Sequence, residues 1–287
     1  MEPGQDPQSG AGGSHDSGRV VAPDGVSIRY WVSGSGSSLL LVHGGLVSSQ
    51  SWQGQVARLR GSHRVVTFDL RGFGASGRAH DATGYAIARS AADAAAVLRT
   101  VGAAPAHVVG FSVGGMVALA LAAAHPELVR SLVLVSTTAR LSPEQAAVFT
   151  ARAARAESSG MDDEVEVHVR RAFAPAFVAA NPAVVSDYAG RVAGNDPGAF
   201  AATMRALVET DLRAALPRLA IATLVVAGDE DTGMPAKVHA AALHAGIAGS
   251  RLEVMPGLGH SVHLEDPDGF ARLMLSFLSA RTSGAEA

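Results

Sequence analysis

With 287 residues, 48% of them hydrophobic and only 17% charged, the chain can bury one large core plus a substantial insertion, and global disorder is excluded. A formal charge of -3 gives no electrostatic reason to expect nucleic acid or an anionic membrane surface as partner, so a small-molecule substrate is expected and a homodimer stays open. The absence of cysteine removes disulfides, thiolate metal sites and cysteine nucleophiles together.

The first residues, MEPGQDPQSGAGGSHDSG, offer nothing to bury, so 1–18 reads as a disordered extension. They lack the basic and apolar regions of a secretory signal, no apolar run reaches the roughly 18 residues that a bilayer crossing needs, and the expected location is the cytoplasm. From Arg19, two β-rich runs flank Pro23-Asp24-Gly25, an opening hairpin. SLLLVHGG is a short continuous apolar run ending in glycines, which suits a strand buried on both faces of a parallel sheet. A helix from Ser51 to about Arg60, the strand RVVTF, the loop DLRGFGAS, an Ala-rich helix from about Tyr85 to Val101, the strand HVVG, a helix from near Val113 and the strand SLVLVS follow in turn.

Residues 140–216 then show only helical periodicity, punctuated by Pro143, Pro175, Pro182 and Pro197, before ATLVVAGDED resumes the buried-strand pattern. One more helix, the strand RLEVM, a glycine-rich turn and an amphipathic helix from about Pro267 to Ala280 complete the chain. The fold expected is α/β, a doubly wound, mainly parallel sheet built from 19–139 and 217–282. Residues 140–216 form a helical cap inserted before the strand that carries the candidate acid.

Gly110-Phe111-Ser112-Val113-Gly114 satisfies G-x-S-x-G, directly after a strand and directly before a helix. A serine hydroxyl is a weak nucleophile that needs an adjacent base and oxyanion donors, and a helix starting at Val113 offers N–H groups to that oxyanion. His43-Gly44-Gly45 ends an earlier parallel strand facing the same crevice; Gly45, lacking a Cβ, is the candidate second donor beside Val113. His43 is expected to shape this loop.

After the cap, Asp229, Glu230 and Asp231 stand at a strand end, where a carboxylate could orient an imidazole. Of eleven histidines, His260 alone sits in a glycine-rich loop after the last strand, and Ser, Asp, His is the chain order this layout requires. His263 is expected to cap or pack a helix entry, and His63, His80, His107, His125, His168, His239 and His244 receive no role.

These motifs resemble the α/β-hydrolase superfamily over nearly the whole chain, about Arg19 to Ala280. LVHGG, DLRGFGASG, GDEDTGMP and GHSVHLEDP look like its signatures, in its order. The resemblance implies a catalytic Ser112, Asp231 and His260, because the family's acid lies three residues after the strand glycine and four before a proline. Glu265 and Pro267 match the histidine motif. The cap stretch RAFAPAFVAANPAVV and the later DLRAALPRLAIATLVVAG look most like the 3-oxoadipate enol-lactonase and carboxylesterase branch. Val113 departs from it, standing where that branch commonly has methionine. The implied function is hydrolysis of a small ester or lactone through an acyl-enzyme. A dedicated cyclase, acyl transferase or carbon–carbon bond hydrolase, or a receptor that binds without turnover, remains open.

The glycines of GFGASG lack the helix-opening dinucleotide layout, so no cofactor is expected. Asp162, Asp163, Glu164 and Glu166 read as solvated acids at a helix start, so no metal is expected. Candidate pocket residues are Trp52 and Phe111 from the core and Phe173 and Phe177 from the cap. Phe149, Met161, Tyr188, Phe200 and Met204 are further cap candidates, at least half of these cap residues being expected to pack the cap onto the sheet. Arg170 and Arg171 read as a solvated helix face, with contact to an anionic substrate as the alternative.

Overall fold

The computed structural model describes residues 15–282. Eight strands form one sheet in the order β1-β2-β4-β3-β5-β6-β7-β8. β1 (His15–Val21) and β2 (Ser27–Ser33) make the hairpin, and β2 runs antiparallel to β4 (His63–Phe68). β3 (Ser37–Val42), β4, β5 (Ala106–Phe111), β6 (Val129–Val135), β7 (Ala222–Gly228) and β8 (Arg251–Met255) are parallel.

The continuous apolar runs are explained by two cores divided by the sheet. Leu40, Val42, Val108, Leu132 and Leu134 face α2 (Ile87–Thr100) and α3 (Val113–Ala124), whereas Leu39, Leu41, Val109, Val133 and Val135 face α1 (Gln53–Leu59) and α11 (Pro267–Thr282). Successive side chains point to opposite faces, so a strand covered on both sides must be apolar at every position. Leu39, Leu40 and Leu41 are fully buried, and each such leucine contributes roughly 1.5–3 kcal/mol relative to exposure.

Between β6 and β7 lie five α-helices, α4 (Pro143–Ser159), α5 (Asp162–Ala172), α6 (Pro175–Ala180), α7 (Pro182–Ala193) and α8 (Pro197–Glu209), and a 3-10 turn, Arg213–Arg218. All four punctuating prolines begin a helix, where the missing N–H costs nothing and φ is already helical. Ser142 and Gln145 close a reciprocal capping box on α4. After β7 come α9 (His239–Gly246) and, following β8, the short α10 (Val262–Glu265).

The N-terminal boundary differs from expectation. Residues His15 to Gly18 belong to β1, paired with Ser33 to Tyr30, and only 1–14 of the expected extension lie outside the described residues. An edge strand is held by backbone hydrogen bonds and tolerates polar side chains, so composition does not reveal it.

Candidate active site

Ser112 sits where β5 turns into α3, with φ 52° and ψ -117°. A positive φ costs a non-glycine residue of order 1–3 kcal/mol and persists only where surroundings over-determine it. Here Ser112 N–H donates to Val135 O at 2.9 Å, and Ser112 O accepts from Gly115 N–H at 2.9 Å and from the Thr137 hydroxyl at 2.6 Å. A side chain at Gly114 would collide with the carbonyls of Val42 and His43, so the elbow can approach β3 only with glycine there.

The loop after β3 arrives beside the serine. His43 is fully buried, its Nδ1 2.7 Å from Gly44 O and its Nε2 accepting from Leu70 N–H at 2.8 Å, which puts the ring proton on Nδ1. Burial lowers its pKa against the opposing pull of Asp69, consistent with a neutral structural residue. A Cβ on Gly44 would stand 3.3 Å from Ser112 Cβ, and one on Gly45 would stand 3.2 Å from Val113 Cγ2 and 3.5 Å from Met204 Cε. Gly45 and Val113 are therefore neighbours beside Ser112. Asp69 holds this region together, accepting from Ser49 N–H at 2.8 Å and Ala75 N–H at 2.7 Å.

At the end of β7 the three acids separate by what they touch. Asp231 Oδ2 lies 2.7 Å from His260 Nδ1, while Oδ1 accepts from Gly233 N–H at 2.8 Å and Met234 N–H at 2.7 Å. Burial alone would raise the pKa of Asp231, but the adjacent His260 and the two backbone donors outweigh it and hold the carboxyl below its ordinary value. Asp229 instead accepts from Gly257 N–H at 2.7 Å, and Glu230 N–H donates to Leu258 O at 2.9 Å, so these two neighbours tie down the histidine loop.

That loop is held from the cap as well. Ser261 N–H donates to Ala172 O at 2.8 Å, and the Glu265 carboxylate accepts from Gly259 N–H at 3.0 Å and Ala174 N–H at 2.9 Å. Beneath it, the Phe111 ring packs 5.0 Å from His260 and 4.6 Å from His263. His263 is a packing residue against Trp52 at 4.3 Å, and burial drives its pKa to about 3.

Ser112, His260, Gly45 and Val113 share the wall of a cavity between core and cap. The cap wall is formed by Phe149, Phe200, Met204, Arg152, His168 and Arg171. None of the four principal pocket candidates is among these lining residues. Trp52 is fully buried with His263 and Phe270 on the other face of the sheet. Phe111 underlies His260, and Phe173 and Phe177 stack on one another at 5.2 Å inside the cap.

Glu164 also departs from expectation, being fully buried and paired with Arg152 at 2.7 Å, whereas Arg170 is exposed beside Glu166. His168, given no role from the sequence, and Arg171, for which contact to an anionic substrate is the alternative reading, stand four and seven residues beyond Glu164 on one helical face. Among the described residues no group of three or more His, Asp or Glu could hold a metal ion, and no helix is long and apolar enough to cross a membrane.

A strained serine at a strand-to-helix turn and a buried Asp–His pair on one cavity define the class of site, that of an α/β hydrolase. The family model for the alpha/beta hydrolase fold matches residues 38–267, and the chain belongs to that family. It is 31% identical to a protein of Azorhizobium caulinodans provisionally named carbamate hydrolase RutD, over 88% of this chain and 95% of the other. It is 28% identical to 3-oxoadipate enol-lactonase 2 of Acinetobacter baylyi, over 89% and 94%. The crystal structure of the enol-lactonase from Burkholderia xenovorans superposes with a TM-score of 0.86 at 26% identity, covering 91% of this chain and all of the other. The protein is a hydrolase of the α/β-hydrolase type.

Proposed function

We propose that the protein hydrolyses a small ester or lactone through an acyl-enzyme, with Ser112 as nucleophile. The observation that carries this reading is the 2.7 Å contact between Asp231 and His260 Nδ1 on the same cavity wall as the strained Ser112. With its Nδ1 proton given to Asp231, His260 presents an unprotonated Nε2 to the serine hydroxyl. Ser112 Oγ bonds to the acyl carbon as its proton passes to His260, and the carbonyl electrons move onto oxygen, facing the N–H groups of Gly45 and Val113. Collapse expels the leaving group, which takes the proton from His260. A water then repeats the sequence on the acyl-enzyme and releases the acid.

The names of the relatives support a carbonyl substrate with a heteroatom leaving group, enol-lactone or carbamate. The test is fluorophosphonate labelling combined with p-nitrophenyl acetate turnover. The wild-type chain should label at Ser112 and turn over many times. Ser112→Ala should label nowhere and lose at least about a thousandfold in kcat with its melting curve unchanged; retention of more than about a tenth of the activity rejects the assignment.

A further inference from the structure

The cavity carries a cation that the proposed reaction does not use. Two guanidiniums line it, Arg152 from α4 and Arg171 from α5. Arg152 is answered: its Nε donates to Glu164 Oε2 at 2.8 Å, and the rings of Phe149 and Phe200 each lie 5.5 Å from its guanidinium carbon. Among the described residues Arg171 forms no ion pair. Its Nη2 donates one long hydrogen bond, 3.4 Å, to Gly233 O, and the Phe149 ring lies 5.9 Å away.

Neither carboxylate within electrostatic reach forms an ion pair with Arg171 among the described residues. Asp231 accepts from His260, Gly233 and Met234, and Glu164 accepts from Arg152. Burial lowers the pKa of Arg171 and the charge of Arg152 lowers it further, while Asp231 and Glu164 oppose them. A half-buried guanidinium with most of its five donors unspent is built for a planar, two-oxygen acceptor. One turn before it on the same helix, His168 adds a polar group without a second charge. Its Nε2 lies 2.9 Å from the Tyr188 hydroxyl, its ring stacks on Tyr188, and burial holds its pKa well below the ordinary imidazole value.

Position assigns the side of the substrate that this group meets. A Cβ on Gly233 would stand 3.4 Å from Arg171 Nη2 and 3.3 Å from Asp231 Oδ1, so Arg171 stands on the acid–histidine side of the cavity. Gly45, Val113 and Met204 are neighbours, and the proposed mechanism puts the oxyanion at the N–H groups of the first two. His260 returns its proton to the leaving group, which must therefore lie on the Arg171 side. We propose that Arg171 binds a carboxylate carried on the leaving-group part of the substrate, so that the natural substrate is an anionic ester or lactone. The inference rests on the serine-hydrolase reading.

The experiment compares kcat/KM for O-acetylglycolate and 4-acetoxybutanoate, each against its own neutral carboxamide, in the wild-type chain and in Arg171→Met and Arg171→Lys. The wild-type chain should prefer at least one carboxylate ester over its amide. Arg171→Met should lower that carboxylate-to-amide ratio by about 30-fold or more, as expected for loss of one partner of a desolvated charge pair. Arg171→Lys, which keeps the charge but not the fork, should fall between. Methyl hydrogen succinate against methyl succinamate tests the side, and its ratio should not depend on Arg171.

Equal losses on carboxylate and amide would make Arg171 a support of the Asp231 loop and overturn the proposal, as would dependence on Arg171 for the succinate pair alone. Labelled Ser112 with an unaltered ratio overturns this proposal alone. An unlabelled chain that cleaves none of the esters overturns the hydrolase mechanism and this proposal with it.

Discussion

Replacing Asp231 by asparagine isolates the part of the mechanism on which everything else depends. Gly233 and Met234 both donate to the single oxygen Oδ1, so the amide oxygen of an asparagine must take that place. Its NH2 group is then turned toward His260 Nδ1, which the carboxylate had faced through Oδ2 at 2.7 Å. A donor there forces Nδ1 to accept and moves the ring proton to Nε2, the atom that receives the serine proton in the proposed mechanism. The substitution changes one atom, leaves no cavity and removes a charge whose neighbours are mostly backbone dipoles, so the fold should persist. In a triad of this type the wrong tautomer costs about ten-thousandfold in kcat, equivalent to about 5.5 kcal/mol of barrier.

The assay is kcat/KM on p-nitrophenyl acetate with circular dichroism melting as the control for folding, run beside Asp229→Asn. Asp229 uses one oxygen to accept from Gly257 N–H, and an amide oxygen can do the same, so that variant should stay within about threefold of wild type. Similar losses in both variants, or more than about a tenth of the activity remaining in Asp231→Asn, would refute the reasoning.

Two further outcomes follow from burial and from the cap. The folded pKa of His263, about 3, lies below its ordinary 6.5, so the neutral ring contributes stability that is present above about pH 6.5 and lost as pH falls toward 3. From pH 7 to 5 the loss is about 2 kcal/mol. His263→Phe should reduce the drop in the urea unfolding free energy between those pH values by that amount, and an unchanged drop would mean that the ring is solvated. Replacing residues 140–216 with a short linker removes the Ala172 and Ala174 partners of the histidine loop. Fluorophosphonate labelling should then slow by about a hundredfold, and labelling within about threefold of the full chain would show the cap to be a detachable lid.

The placement of Ser112 at a strand-to-helix turn and of Asp231 beside His260 was readable because the resemblance implies particular residue types in a particular order. Ser112 is announced by the glycines that let α3 approach β3, and His260 by its place in the loop after β8. Choosing Asp231 over Asp229 from the residues alone was not possible, since both stand at the same strand end. The family resemblance pointed to one, and it is the hydrogen bonds that separate them: one carboxylate reaches the imidazole, the other a backbone N–H of the same loop.

The cavity walls were misread for a different reason. Aromatic side chains signal burial without saying against what, so Trp52 and Phe111, adjacent in sequence to functional loops, pack under His263 and His260. Glu164 looked like a solvated first-turn acid because its partner Arg152 lies on the preceding helix. Helix α5 does carry a readable stripe, Glu164, His168 and Arg171, but nothing in its spacing tells whether the stripe faces solvent or a site.

The division of labour between core and cap follows from which donors are already committed. Around Ser112 the core spends its polar groups on its own geometry: both oxygens of Asp231 are engaged, His43 is bonded through both ring nitrogens, and Asp69 holds two loop amides. In the proposed reaction the core offers a substrate Ser112 as nucleophile, His260 as base and the backbone N–H groups of Gly45 and Val113, all of which would address the acyl group common to every ester. Discrimination among esters therefore has to come from the other wall. There the apolar side chains of Phe149, Phe200 and Met204 line the cavity, and Arg171 is the charged group of that wall that forms no ion pair among the described residues. The cap that carries Arg171 also holds the histidine loop through Ala172 and Ala174, so in the proposed reaction recognition and catalysis rest on one support.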